Sequence, residues 1–301
     1  MTQQTGFIGL GAMGAGMARN LLRAGFPVRG YDVQPALVEA FVADGGAGAA
    51  SPAEAAEGAD LLVVIVFTAA QAEAVLFGER GALESLPRGA TVIMHTTTSP
   101  QEAEAMSARL AERGYAFLDA PVTGGKKGAD EATLTIIVSG PDEALAAAQP
   151  AFEQMGRKIA RVGDRAGAAS TVKMINQMLC GIHVVATAEA MVLAARGGAD
   201  PRQVYDVITH GAGNSFVFET RVPSILARDY SPKGVVEIFT KDLGIVTEAA
   251  RRFQCPVPLT ALALQQFLAA AAAGYTRNDD ISVVKIYEQL AGVDVADTAD
   301  R

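Results

Sequence analysis

The chain contains no tryptophan, two cysteines and three histidines, and only 6% of its residues are aromatic. Each scarcity narrows what it can be. Cys180 and Cys255 stand far apart in apolar surroundings, so neither a disulfide framework nor a metal-ligand spacing is present, and both are expected to be buried, reduced thiols. His95, His183 and His210 form no HxxxH arrangement and lack clustered carboxylates beside them, which argues against a protein-bound catalytic metal. His183 reads as a satisfied core histidine and His210 as a residue that helps end a helix. Basic residues are also in deficit. The 25 Lys and Arg against 33 Asp and Glu leave a net charge of −8, with the cations scattered, so nucleic acid is not an expected partner. The longest apolar region, Met178 to Ala195, is interrupted by His183 and Glu189, and the Ala-rich run near Leu268 is short, so no membrane span is expected. The opening MTQQTGFIGLG shows no basic n-region and no small-residue cleavage pattern, and a cytoplasmic location is expected.

What the chain has is apolar mass. Half of its 301 residues are hydrophobic, which suits two domains better than one. In the first half, short β-rich runs (GFIGL, PVRGYD, ADLLVVIVF, ATVIMH, YAFLDA) alternate with helical patterns such as Met13 to Ala24 and Pro100 to Arg113. That alternation is the mark of βαβ units and a mainly parallel sheet. Leu134 to Ser139 and Arg157 to Val162 add two further strands around a helix from Pro141 to Met155. From Ala168 to Arg196 runs one long helical pattern, apolar on nearly all sides, and the segments that follow read as helices around Pro201 to His210, Val235 to Phe253, Pro258 to Ala273 and Asp280 to Leu290. The tail after Gly292 is acidic and reads as frayed. The expected fold is α/β: an N-terminal Rossmann, doubly wound sheet over residues 1–165, followed by an all-α domain over 166–301 that carries substrate contacts and dimerisation. The surplus of apolar surface on the helix from Ala168 predicts a homodimer or homotetramer.

Gly9, Gly11 and Gly14 form GxGxxG directly after a strand and directly before a helix. The first glycine makes the tight turn, the second admits a pyrophosphate and the third lets the helix pack closely, while the helix N-terminus favours an anion. The whole loop Gly9, Leu10, Gly11, Ala12, Met13, Gly14 is a candidate cofactor contact. Asp32 closes PVRGYD about 20 residues on, the position of a ribose-binding carboxylate. It would repel a 2′-phosphate, so NAD is expected over NADP, with Arg29 near enough to offset that repulsion. As a bland alternative, Asp32 is a turn residue.

Four motifs, GFIGLGAMGAGMARNL, DAPVTGG (Asp119 to Gly125), GAASTVKMINQ (Gly167 to Gln177) and FTKDLG (Phe239 to Gly244), resemble the beta-hydroxyacid (3-hydroxyisobutyrate dehydrogenase-like) family over nearly the whole chain and in the family's order. The resemblance implies an NAD-dependent dehydrogenase of small hydroxy acids. Lys173 matches the family's catalytic lysine, Thr123, Gly124 and Gly125 its carboxylate-holding segment, Thr97 a cofactor-contacting threonine and Lys241 a lysine near the nicotinamide. Val66 and Phe67 fall where the family often has Leu-Pro, and Gln71 where it often has Asn. The chemistry agrees. A turn of small residues can offer several N–H groups to a carboxylate, and a desolvated lysine can exchange a proton near neutral pH. On residue pattern alone, Lys173 reads more readily as a surface lysine with its stem on the helix.

Asn176 and Gln177 lie three and four residues after Lys173 and share its helical face. The family often has Asn four after the lysine, where this chain has Gln177, which argues against plain 3-hydroxyisobutyrate as substrate. GIHVVATAEAM, VYDVITHGAGNSFVFETRVP and GYTRNDDISVVKIY resemble the family's L-threonate branch, which oxidises a four-carbon sugar acid at C2. In these segments Asn214, Ser215 and Asp280 are candidate contacts for substrate hydroxyls, or else helix caps and joints. The rival readings are 3-hydroxyisobutyrate oxidation, tartronate semialdehyde reduction and a non-catalytic dinucleotide-binding scaffold.

Overall fold

The computed structural model describes residues 3–299. The chain divides into two compact units, Met1–Lys173 and Met174–Arg301. In the first, strands and helices alternate: β1 (Thr5–Ile8), α1 (Gly14–Arg23), β2 (Val28–Tyr31), α2 (Pro35–Ala43), β3 (Ala47–Gly48), α3 (Pro52–Ala56), β4 (Leu61–Val64), α4 (Ala69–Phe77), β5 (Thr91–Met94), α5 (Pro100–Ala111), β6 (Ala116–Asp119), β7 (Val122–Thr123), α6 (Gly125–Asp130), β8 (Leu134–Ser139), α7 (Asp142–Met155) and β9 (Gly156–Gly163). The nine-stranded sheet runs β3-β2-β1-β4-β5-β6-β8-β7, with β9 also paired to β8. β1, β4 and β5 are buried throughout, as parallel strands covered on both faces must be. The expected doubly wound sheet is present. It is parallel from β3 to β6, but β8 runs antiparallel to both β6 and β7.

Local signals set the helix starts. Ser99 and Glu102 cap α5 reciprocally with Pro100 at its first position, and Thr68 and Gln71 do the same for α4. Gly9 has φ +100°, and a Cβ there would lie 2.0 Å from the Ile65 carbonyl oxygen, so only glycine lets β1 turn this close to the end of β4.

The second unit is helical: α8 (Ala168–Arg196), whose first turns belong to the first unit, then α9 (Pro201–Thr209), α10 (Phe216–Leu226), α11 (Val236–Arg252), α12 (Pro258–Ala270), α13 (Val284–Ala291) and α14 (Val295–Ala299). α8 has the length and apolarity to cross a membrane, and 44% of its most apolar window is buried inside the protein. Val184, Ala188, Met191 and Val192 on its buried face join Phe239, Leu243 and Phe267 in one core.

Three expectations are corrected. The tail after Gly292 is not frayed over its described length. Val295 is fully buried, its N–H donates to Glu288 at 2.9 Å, and Arg228 pairs with Asp294 at 3.2 Å and with Asp297. Cys180 on α8 is half-buried, and Cys255 is exposed because α11 ends at Arg252 and the chain beyond it runs along the surface. α10 stands where no helix was expected.

One ion pair inside this unit bears weight. Arg221 on α10 makes a bidentate pair with the Asp280 carboxylate, Nε to Oδ1 at 2.8 Å and Nη2 to Oδ2 at 3.0 Å. Burial nevertheless pushes the Asp280 carboxyl up to about 6. Removing the guanidinium leaves a buried, unpaired carboxylate, so Arg221→Ala is expected to lower unfolding free energy at pH 7.5 by about 3 kcal/mol or more. Urea denaturation reads this directly, and an unchanged midpoint would show the pair to be dispensable.

Candidate active site

The parallel strands of the first unit end at one edge of the sheet, and the predicted cofactor residues follow those ends. The strand order reverses between β1 and β4, the switch point where ligands bind in open α/β sheets. Gly9 follows β1, Asp32 follows β2, Val66 and Phe67 follow β4, and Thr97 follows β5. The geometry fits a dinucleotide. No side chain caps the N-terminus of α1. Gly11 is exposed, with open space where a Cβ would stand, while at Gly14 a Cβ would lie 1.9 Å from the Gly9 carbonyl oxygen. Leu10, Ala12 and Met13 complete the loop, and the Leu10 N–H donates to Asp32 Oδ2 at 2.8 Å. Asp32 Oδ1 accepts from the Gln34 N–H at 2.9 Å. The carboxylate thus holds the loop through Oδ2 and its own turn through Oδ1, and each oxygen keeps a lone pair that could accept a ribose hydroxyl. Arg29 does not offset it: its Nη1 donates to the Glu54 carbonyl at 3.0 Å and pairs with Glu57 at 3.1 Å.

Val66 N–H is held by the Thr96 hydroxyl at 2.9 Å. Gln71 is occupied by the α4 cap, its Oε1 accepting from the Phe67 and Thr68 N–H groups at 2.9 and 3.1 Å. Thr123 pairs with Thr135 across the β7–β8 ladder, and Gly124 and Gly125 follow with φ +132° and +64°, both exposed. Such a turn presents its amides to solvent, as a carboxylate holder must. His95, just after β5, is fully buried. Its Nδ1 meets the Ala120 carbonyl at 2.5 Å, and desolvation lowers its pKa to about 4, so the ring stays neutral.

Lys173 lies on α8 and is only 7% exposed, so it is not a surface lysine. Three residues not singled out from the sequence govern the start of this helix. Asp119, buried at the end of β6, accepts from the backbone N–H groups of Gly167 and Ser170 at 2.9 Å each and from the Ser170 hydroxyl at 2.8 Å. Ser139, at the end of β8, accepts from the Ala169 N–H at 3.0 Å. Burial pushes the Asp119 carboxyl up and its donors pull it back.

Within the second unit, Gln177 is buried and its Nε2 donates to Asp242 at 2.5 Å, while its Oε1 accepts from Asn176 at 3.0 Å. Lys241 pairs with the other Asp242 oxygen at 2.5 Å. Buried Asp242 therefore joins Gln177 and Lys241, and its place beside Lys241 in FTKDLG was the available signal. The remaining candidates each make a contact within the second unit. Ser215 caps α10 by accepting from the Phe218 N–H at 3.0 Å, Asn214 donates to the Thr209 carbonyl at 3.2 Å, and Asp280 is committed to Arg221. Among the described residues no group of acidic, histidine or cysteine side chains could hold a metal ion.

Because the Asp32 carboxylate holds the Leu10 amide and follows β2, the position expected of a ribose-binding acid, Asp32→Ala is expected to raise KM for NAD about tenfold or more, with a smaller change for NADP. Equal changes in the two cofactors would remove the ribose assignment.

Residues 4–163 match the family model for the NAD binding domain of 6-phosphogluconate dehydrogenase, and 167–287 match that for the NAD-binding domain of NADP-dependent 3-hydroxyisobutyrate dehydrogenase. The chain is 48% identical to an L-threonate dehydrogenase of Cupriavidus necator, covering 95% of this chain and 97% of that one. It is 32% identical to a 2-hydroxy-3-oxopropionate reductase of Escherichia coli, with 95% and 97% covered. A crystal structure of 3-hydroxyisobutyrate dehydrogenase from Salmonella typhimurium superposes with a TM-score of 0.88 at 41% identity, over 94% of this chain and 99% of that one. With its glycine loop, the acid after β2 and a helix-borne buried lysine in the expected order, the chain belongs to the beta-hydroxyacid dehydrogenase family and is an NAD-dependent hydroxyacid dehydrogenase.

Proposed function

We propose that the protein oxidises L-threonate at C2 to the 2-oxo acid, with residues 1–165 binding NAD and 166–301 completing the substrate contacts. The observation that carries the chemistry is the burial of Lys173 on α8, one turn before an amide pair, Asn176 and Gln177, that is itself hydrogen-bonded. Taking a lysine out of water disfavours its charged form, and a general base must exchange protons at working pH. The Thr123 hydroxyl and the amides of Gly124 and Gly125 hold the substrate carboxylate. Lys173 takes the C2 hydroxyl proton, and Asn176 and Gln177 bind the remaining hydroxyls, each of which needs a partner when buried. NAD, when bound, supplies the hydride acceptor, and Lys241 is a contact to it. The substrate choice is supported by the greater likeness to an L-threonate dehydrogenase than to a reductase of the three-carbon acid.

The protein works in the cytoplasm as a homodimer or homotetramer, without nucleic acid or membrane. Two unbridged cysteines suit a reducing compartment. Val172, Ile175, Leu179 and Leu193 form an exposed apolar stripe at helical spacing along α8, the kind of surface a second copy covers.

Assayed by NADH absorbance, L-threonate is expected to be turned over in preference to D-threonate, both erythronates, D-glycerate and 3-hydroxyisobutyrate. Lys173→Ala is expected to lose at least a thousandfold in kcat while still binding NADH. Turnover of another acid in the panel replaces the substrate, and an active Lys173→Ala removes the base. Leu179→Glu is expected to reduce the mass measured by light scattering, and an unchanged mass would clear this stripe of any interface role.

A further inference from the structure

The first turn of α8 is fastened to three loops at once. Asp119 ends β6, four residues before Thr123, so the strand that delivers the substrate-holding turn also delivers this carboxylate. Ser139 ends the neighbouring β8. Thr98, adjacent to the cofactor-side Thr97, brings its Oγ1 to 3.5 Å from the Ser170 Oγ. Ser170 is the meeting point. Its N–H and hydroxyl both reach Asp119, its oxygen faces Thr98, and all three side chains are at most 2% exposed. Lys173 follows three residues later, one helical turn along the same face.

Gly167 makes the approach feasible. Its φ is +93°, and a Cβ there would lie 2.9 Å from Glu104 Oε1 and 3.1 Å from the Pro100 carbonyl, so only glycine lets the chain turn in tightly enough for its N–H to reach Asp119.

Helix N-termini are ordinarily capped by a residue next to the helix in sequence. Here the cap comes from 51 residues away, on the strand that leads into the substrate segment. A local serine or aspartate would satisfy the same N–H groups without tying the helix to anything. Every partner the carboxylate engages is a donor, the pattern of an ionised acceptor at the positive end of a helix.

We propose that Asp119 and Ser170 are positioning residues that lock the helix bearing Lys173 in register with the substrate turn at Thr123 and the cofactor loop at Thr97. This rests on Lys173 being the acid/base. The pair touches neither substrate nor cofactor. It fixes where the lysine begins its reach, and a displacement of about 1 Å at a reacting group costs on the order of a hundredfold in rate.

The test compares Asp119→Ala, Asp119→Asn and Ser170→Ala for kcat, KM for NAD, NADH affinity by fluorescence and melting temperature. Asp119→Ala is expected to lower kcat about ten- to a hundredfold with KM for NAD within twofold. Asp119→Asn is expected to recover most of the loss, because its amide oxygen can still accept both backbone N–H groups. Ser170→Ala keeps its backbone N–H and is expected to fold and to lose several-fold in kcat, so it carries the test if Asp119→Ala does not fold. A lower melting temperature with kcat per NADH-binding site unchanged would reduce the cluster to a structural cap and overturn the proposal.

The double variant Lys173→Ala/Ser170→Ala decides whether the effect passes through the lysine. It is expected to match Lys173→Ala alone, whereas a full further loss would overturn the proposed route. An active Lys173→Ala single variant would instead refute the acid/base reading, so the two failures are told apart.

Discussion

A buried carboxylate at the end of one strand, closing the open end of a long helix, is the interaction on which the rest of the first unit's chemistry depends. The N-terminal N–H groups of α8 lie against the sheet, away from water, and would each be costly if left unpaired. Asp119 and Ser139 satisfy them from the ends of β6 and β8. Because β6 leads within four residues to Thr123 in β7, the same stretch of backbone that caps the helix also sets the turn proposed to hold the substrate carboxylate. The antiparallel β8 matters here: its reversal brings Ser139 level with Asp119, the one residue pair that joins β6 to β8 in the ladder.

A second constraint acts at the switch point. β1 and β4 lie side by side, and Gly9 passes the Ile65 carbonyl at a distance no side chain allows. That approach aims the following loop at the N-terminus of α1, and Asp32 pins it through the Leu10 amide. One carboxylate thus fixes the glycine loop, and it stands where a ribose-binding acid is expected. In the second unit Asp242 has a parallel role, fixing an amide and an ammonium group with its two oxygens. Each of these three acids orders groups of one sign of hydrogen bonding, donors, around itself.

Much of this was legible in sequence because it rests on short-range periodicity. Alternating strand and helix patterns, the glycine loop with its acid, and the bounds of α8 at Ala168 and Arg196 all read directly. What escaped has physical reasons. β3 and β7 are two residues long, too short for any alternation to register. α10 is hidden by its interior Pro223 and by the glycine-rich segment before it. α14 is acidic, and its place is owed to Val295 entering a core made by residues distant in sequence. Asp119, Ser170 and Asp242 sat inside quoted motifs without a role, because their partners lie 51 and 65 residues away and no local pattern announces them. Ser215 caps α10 and Asp280 pairs with Arg221, the first a local role and the second a partner 59 residues away that no local pattern announces.

The measurement that bears hardest on the proposed reaction is the fate of a labelled hydrogen. L-Threonate carrying deuterium at C2 should transfer that deuterium to NAD, giving singly labelled NADH by mass spectrometry, an unlabelled 2-oxo acid and a slowed single-turnover rate. Unlabelled NADH from the same substrate would place the oxidation at another carbon and contradict both the C2 chemistry and the role assigned to Lys173 there.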